Sequence, residues 1–470
     1  MLQTLRNAWK TVDIRKKLLF TLFIILLYRI GTVVPVPFVN AASWQSQMGS
    51  ATFGGGTILA YLDNLSGGAL QQATLFALGI SPYITASIVI QLLTVAIPAL
   101  ERLAQQGEEG KKKINNLTRY TTVILSVVTA IGYYFLLKGY GMFTNSEGST
   151  VLGAFVVITC FCAGASIVMW LGEKINEHGI GNGISIILFA NIISGLPAKM
   201  IRLVNLVILG FKGGSYATIN GTLALVCAAG YILLLIAMVV FCVFVTGSER
   251  LISVQYAKRV VGRKMYGGQS QNLPLKLNMS GVMPVIFASS IISLPATIMA
   301  FCGVGIADSW ANVHGFWEGF NYILRSDGWV YPILLFVLII AFSYFYVQIS
   351  FNPVEVANNL KKNGGTILGC RPGAPTADYI RKSLSKITLI GAFFLSIVAI
   401  VPIVLVPTVM EPLATNILAA AGQPTTLVSY FTSSFAFGGT SLLIVVGVAL
   451  ELVRDIEAQL AMRSYKGFLN

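Results

Sequence analysis

The sequence predicts an all-α polytopic membrane protein whose ten transmembrane helices form two inverted five-helix halves. Three observations carry this. Of 470 residues, 55% are hydrophobic and only 11% charged, with a mean hydropathy of +0.77, a composition outside the range of soluble domains. Apolar runs of roughly 20 residues, the length needed to cross a bilayer, recur along the chain. One stretch of the chain is also repeated.

Residues Gly79–Leu92 read GISPYITASIVIQL and Gly281–Leu294 read GVMPVIFASSIISL; at an offset of 202 they agree at 7 of 14 positions. Apolar segments share Ile and Leu by composition, but Gly, Pro, Ile and Ala-Ser kept in register point to an internal duplication. A Gly and a Pro three residues apart are expected to break or kink a helix. Lipid tolerates this only where protein or a water-filled cavity satisfies the freed backbone groups. Matching interruptions in two halves point to a pathway between them.

The apolar runs number ten and lie near 18–34, 75–95, 118–137, 152–171, 181–197, 221–245, 282–302, 329–349, 386–406 and 436–453. The fifth is short, and the second and seventh carry the interruptions. Pairing the second with the seventh gives five spans in each half, 1–205 and 206–470. With an odd number per half, the second half enters the membrane upside down relative to the first. Of the 32 Lys and Arg residues, 26 fall in the two tails and the even-numbered connections, so both termini are expected in the cytoplasm. The net charge of +14 is therefore a topology signal first, which removes most of the case for a nucleic-acid-binding domain. Arg6, Lys10 and Arg15 to Lys17 precede the first run, and no small-residue cleavage site follows. That pattern is a first spanning helix rather than a signal peptide.

Two cytoplasmic connections exceed what topology needs. Ser248–Asn278 and Asn352–Lys386 space basic residues among Gly, Pro and aromatic positions. They are expected to be ordered projections that dock an acidic partner, RNA phosphate included; retention by charge alone is the plainer alternative. On the other side, GGGTILAYLDNLSGGAL (Gly54–Leu70) encloses a short apolar piece, Thr57 to Leu65, between glycines. It is either a surface turn or a small re-entrant helix that swings on its glycine hinges. The long outward connection Pro407–Ser434 gives no further reading.

Chemistry is conspicuously thin. No HExxH, GxSxG or Walker-type motif is present, six cysteines lack CxxC spacing, and the two histidines, His178 and His314, are too few for a metal cluster. No enzymatic activity and no cofactor are expected. HGIGNGIS (His178–Ser185) resembles a phosphate loop but joins two membrane runs, so a tight turn leading into the next helix at Asn182 fits better. Ion-coupled carriers place carboxylates or histidines in mid-membrane. Here Arg29 lies in the first run towards its outer end, and Glu451, Arg454 and Asp455 gather where the last run leaves the membrane. Ser87, Gln91, Asn182, Ser289 and Ser290, on or beside the interrupted runs, serve either as interhelical hydrogen-bonding groups or as a weak neutral seam that can separate. Ile80, Ile84 and Ile286 are apolar enough to close a pore by dewetting. An inverted-repeat small-solute transporter would share this architecture, though not the large basic loops.

Five motifs then occur in order: GISPYITASIVIQLL, WLGEKINEHGIGNGISI, QYAKR followed by LPLKLNMSGVMPVIFASSI, FNPVEVANNLKKNGG with GCRPG, and FGGTSLLIVV. From about Leu18 to Leu460 the chain resembles the bacterial SecY family, channel-forming subunits of the Sec protein translocon. The resemblance implies a clamshell around an hourglass pore that opens sideways to lipid between the second and third and the seventh and eighth spans. It implies a pore ring of Ile80, Ile84, Ile184, Leu188, Ile286 and Ile444, with Leu188 standing where the family has an isoleucine. It implies a plug containing Thr57, Ile58, Leu59, Tyr61, Leu62 and Leu65, and polar lateral-gate positions at Gln91 and Asn182, with Ser87, Ser289 and Ser290 beside them. Arg263 and Lys264, with Arg259 near them, match basic positions that dock the ribosome, and Arg371 one that engages ribosome and SecA. The implied partners are SecE- and SecG-like subunits, the SecA motor ATPase, the ribosome through its rRNA, signal-sequence-bearing polypeptides and membrane lipid. The implied location is the bacterial cytoplasmic membrane. The outward loop before the last span is longer than the family pattern, and the tail after Leu460 is short.

Overall fold

The repeated Gly-x-x-Pro frames start helices rather than bend them. The computed structural model describes residues 6, 8–48, 63, 65–104, 106–144, 148, 150–212, 217–256, 259–261, 264–266, 270–301, 315, 319, 328–420 and 439–466. In it Gly79 and Gly281 hold φ of +54° and +63°, and helices begin two residues later, at Ser81 and Met283. Pro82 and Pro284 therefore stand in a first turn, where the missing N–H costs no helical bond and the fixed φ is already suitable. The expected kink is thus corrected to a helix N-terminus. Residues 75–80 of the second run are turns, and its helix is correspondingly short.

Among the described residues, ten helices of 16 residues or more match the ten apolar runs: α1 (Val12–Gly31), α3 (Ser81–Ala96), α5 (Glu108–Gly139), α6 (Val151–His178), α7 (Gly183–Lys212), α8 (Ala217–Gly247), α9 (Met283–Phe301), α10 (Val330–Ser350), α12 (Ala374–Leu405) and α14 (Gly439–Lys466). Shorter helices lie between them: α2 (Ala41–Met48), α4 (Pro98–Ala104), α11 (Pro353–Lys362) and α13 (Glu411–Ala420), the last reached through a π-helical turn, Val406–Met410. By length and composition alone six helices suffice to cross a membrane, or seven if α3 and α4, bent by 105° to one another, form one span. The others carry visible reasons for falling short. α1 opens on Asp13, Arg15, Lys16 and Lys17, and α14 runs on into Glu451, Arg454 and Asp455.

The fifth run is longer than expected. α7 continues through Pro197 to Lys212, and Leu203 and Leu206 on its extension are 4% and 2% exposed, so packing along α8 carries the helix past the proline.

The described part of the connection Ser248–Asn278 is a β structure, which adds strands to the all-α expectation. β1 (Glu249–Tyr256), β2 (Arg259–Val261), β3 (Lys264–Tyr266) and β4 (Ser270–Lys276) follow α8, and β5 (Gly365–Ile367) comes from the second connection. The antiparallel order is β4-β1-β5, with Arg250 opposite Leu275 and Val254 opposite Ile367. The alternation that strands require is present: Ile252 and Val254 are buried while Leu251 is exposed. With Leu275, Ile367, Ile380 and Ile387 they make a small core of their own. The two connections are therefore one ordered projection.

Helix contacts set the frame of the site. α3 packs on α5 and α5 on α6; α9 packs on α10 and α10 on α12; α7 lies along α8, and α14 contacts α7, α8 and α12. On the far side α9 reaches across to α3 and α5.

Candidate functional site

The centre of the bundle is apolar. Ile80 at the cap of α3, Ile84 one turn on, Leu188 on α7, Ile286 on α9 and Ile444 on α14 are all buried within one cluster, and the half-buried Ile184 packs against it. Each helix delivers its residue by a local feature. Pro82 fixes the first turn of α3, so Ile80 and Ile84 share a face at the i,i+4 spacing that also pairs Ile184 with Leu188 on α7. Asn182 aims α7, its side-chain oxygen accepting from the Ile184 N–H at 3.1 Å while the Gly183 N–H donates to Asn176 Oδ1 at 2.7 Å. Gly447, one turn past Ile444, has no side chain where the Val282 side chain leans in, which lets α14 close on the start of α9. Six aliphatic side chains from four helices, with none charged among them, offer no group able to bind one solute selectively. Together they make one apolar, water-excluding cluster.

Gln91 and Ser289, beside it, make hydrogen bonds within their own helices. Gln91 Nε2 donates to Ser87 Oγ at 3.4 Å along α3, and Ser289 Oγ donates to the Ile286 carbonyl at 3.0 Å on α9. Ser290 is half-buried and its carbonyl accepts from Ser293 Oγ at 2.9 Å. Asn182 is committed to capping α7. For Ser87 and Gln91 this replaces the interhelical bond that the sequence suggested, and the seam between α9 and the pair α3 and α5 lies beside these groups.

Of the glycine-flanked outward piece, Thr57, Ile58, Leu59, Tyr61 and Leu62 lie outside the described residues. Leu65 is 8% exposed and belongs to the central cluster. Sequence reasoning missed what surrounds it. Asn191 Nδ2 donates to the Leu65 carbonyl at 2.8 Å and to Tyr28 Oη at 2.9 Å; Tyr28 Oη donates to the Ser66 carbonyl at 3.4 Å. Arg29 Nη1 reaches the Gly67 carbonyl at 3.4 Å. Asp63 Oδ1 accepts from the Gln71 N–H at 2.8 Å, and burial raises its pKa from 3.8 to about 6 against the opposing pull of that bond and of Lys199 and Arg202. The one available signal was that Arg29 and Asn191 are polar inside apolar runs.

The basic positions that the sequence singled out fall on the projection, as far as they are described. Arg259 and Lys264 belong to the hairpin β2–β3, paired Arg259 to Tyr266 and Val261 to Lys264; Arg263, between them, lies outside the described residues. Arg371 is exposed in a tight turn after β5, its carbonyl accepting from Thr376 Oγ1 at 2.7 Å. Among the described residues no cluster of His, Cys, Asp or Glu is placed to hold a metal ion.

Fold and site together define a polytopic helical membrane protein built round an apolar central cluster, with a basic projection from its connections. The family model for SecY matches residues 74–453. Full-length relatives include the protein translocase subunit SecY of Streptomyces galbus, 42% identical over 476 residues, and that of Mycobacterium tuberculosis H37Rv, 41% identical over 480, each match covering 100% of both chains. The chain belongs to the SecY family. Among solved structures, one described as a protein conducting channel superposes with a TM-score of 0.57 at 20% identity, covering 94% of this chain and 92% of the other. Sec61 in a canine ribosome-channel complex superposes equally well, with a TM-score of 0.57 at 18% identity and the same coverage. A SecY structure described by the role of its plug domain in the closed state gives a TM-score of 0.58 at 18% identity, again covering 94% and 92%.

Proposed function

We propose that this chain is the pore of a Sec-type translocon, passing unfolded polypeptide through the isoleucine constriction and releasing hydrophobic segments into lipid between α9 and the pair α3 and α5. The observation that carries the reading is the burial of Ile80, Ile84, Leu188, Ile286 and Ile444 in one charge-free cluster. A conduit for arbitrary side chains must not bind any of them, and an aliphatic ring seals around each equally. A segment that partitions sideways gains about 0.8 kcal/mol per buried CH₂, so hydrophobicity alone sorts membrane segments from secreted ones.

The two halves of the clamshell meet after α7, which carries the first half past the expected boundary at 205/206 to Lys212, and the piece Thr57 to Leu65 is the plug. Both termini face the cytoplasm of a bacterial cell, as the Lys and Arg distribution requires. The sequence carries no Walker-type motif and few charges within its apolar runs, which fits a driving force supplied by partners docked on the projection: the ribosome, contacted through Arg259, Arg263 and Lys264, and the SecA motor, contacted through Arg371. SecE- and SecG-like subunits complete the complex.

Photo-crosslinkers placed at Ile84 and Ile286, with a ribosome-stalled or SecA-driven precursor, test this directly. Adducts from both positions that vanish when the signal sequence is disabled are expected. A correctly inserted chain that yields none would return the small-solute transporter to first place.

A further inference from the structure

We infer that Arg29, with Tyr28 and Asn191, is a positioning latch that clasps the root of the plug to the channel body. The inference rests on the plug reading above. Its basis is a run of three consecutive carbonyls, Leu65, Ser66 and Gly67, each accepting from a different side chain: Asn191 at 2.8 Å, Tyr28 at 3.4 Å and Arg29 at 3.4 Å. Tyr28 and Arg29 belong to α1 and Asn191 to α7, so the segment immediately following the apolar piece is gripped from two sides. Arg29 also ties the two grips together, its Nη2 donating to the Ala190 carbonyl on α7 at 3.3 Å.

Arg29 is the charge the sequence left unexplained. An arginine within a spanning helix is costly and persists where its donors are used. Among the described residues Arg29 forms no salt bridge; its guanidinium is spent on backbone oxygens of the plug root and of α7. Those oxygens are the groups that must part if the root is to move. A charge-assisted bond to a carbonyl is stronger than a neutral one, so the latch is firm without burying an ion pair.

Two further details fit a clasp. Gly67 holds φ at +70°, and a Cβ there would lie 3.0 Å from Asn191 Oδ1 and 3.2 Å from Arg29 Nη1, so a residue larger than glycine would wedge the two donors away. Among the described residues Asn191 Oδ1 is buried with no hydrogen-bond partner, so the amide is held by its donor side, which joins the Leu65 carbonyl to Tyr28.

The test uses the full-length chain reconstituted in planar bilayers, with resting conductance as the readout. The variants are Arg29→Gln, Arg29→Lys, Asn191→Leu, Gly67→Ala and a deletion of residues 57–65. The deletion is expected to leak. Arg29→Gln, Asn191→Leu and Gly67→Ala should each raise resting open probability, by about tenfold for Arg29→Gln, with Arg29→Lys recovering part of the seal as a single point donor. Arg29→Gln added to the deletion should leak no more than the deletion alone, because the latch acts only through the plug. A leaking deletion beside silent point variants overturns the latch and leaves the plug standing. A deletion that does not leak overturns the plug reading, and the latch with it. A leak from Arg29→Gln that adds to that of the deletion also overturns the latch and makes Arg29 a purely structural residue. If Arg29→Gln fails to accumulate in the membrane, Gly67→Ala, which alters no charge, decides between the same outcomes.

Discussion

Gly79 and Gly281, 202 residues apart, adopt the same left-handed conformation two residues ahead of a helix. Each turns the chain so that a Pro-started helix enters the bundle and sets an isoleucine, Ile84 or Ile286, into the central cluster. Ala at either position has to adopt a positive φ, at a cost of about 1–2 kcal/mol. At Gly281 nothing lies within 4 Å of an added Cβ, so backbone strain is the whole cost there. Gly281→Ala should lower the thermal unfolding midpoint in detergent with the fold retained, and an unchanged midpoint would show that the conformation is not required.

The proposed isoleucine ring predicts a leak. Replacing Ile84 and Ile286 together with Gly removes two of the side chains that fill the central cluster and should leave the chain inserted in the membrane. Resting ion conductance in planar bilayers is expected to rise by an order of magnitude or more, since a wetted gap no longer presents the dewetting barrier. Equal conductance for the parent and the double variant counts against the gasket assignment.

Asp63 gives a pH signature. Its pKa of about 6 lies above the ordinary 3.8 because burial favours the neutral acid. Its contribution to the packed root is therefore complete below pH 4 and is lost as pH rises through 6. The groups facing it, Lys199 and Arg202 on α7, and the Gln71 N–H favour the charged form and limit the effect. Thermal stability is expected to fall between pH 4 and pH 6 by an amount no greater than about 3 kcal/mol and to level off above pH 6. Asp63→Asn should flatten that slope while leaving the pH 4 value close to the parent. A slope that survives in Asp63→Asn assigns it to another group.

The sheet predicts a shared failure. Val254 is 2% exposed and pairs with Ile367 across β1 and β5, so Val254→Asp buries a charge with no partner. Limited proteolysis should then cleave both connections, Ser248–Asn278 and Asn352–Lys386, while the membrane helices stay protected. Cleavage confined to the first connection would show that the two do not depend on one another.

The ten spanning helices were legible because lipid leaves a chain no alternative: every backbone group must bond within its own segment, which forces long apolar runs. The ring was not legible in that way. Ile444 and Leu188 look like any other aliphatic residue in an apolar helix, and only resemblance singled them out. Arg29 could be seen but not interpreted, because its partners are the carbonyls of Gly67 and Ala190, and backbone acceptors leave no mark in a sequence. The strand β1 was missed for a related reason. ERLISVQY buries Ile252 and Val254 alone, too short an alternation to stand out from the charges around it.

Because β1 follows α8 directly, β4 leads into α9, and β5 lies between α11 and α12, the three-stranded sheet is a crossbar joining α8, α9 and α12. Its antiparallel ladders bond the two connections to each other. A load applied to the sheet is therefore shared among the helices its strands adjoin rather than carried by any one of them.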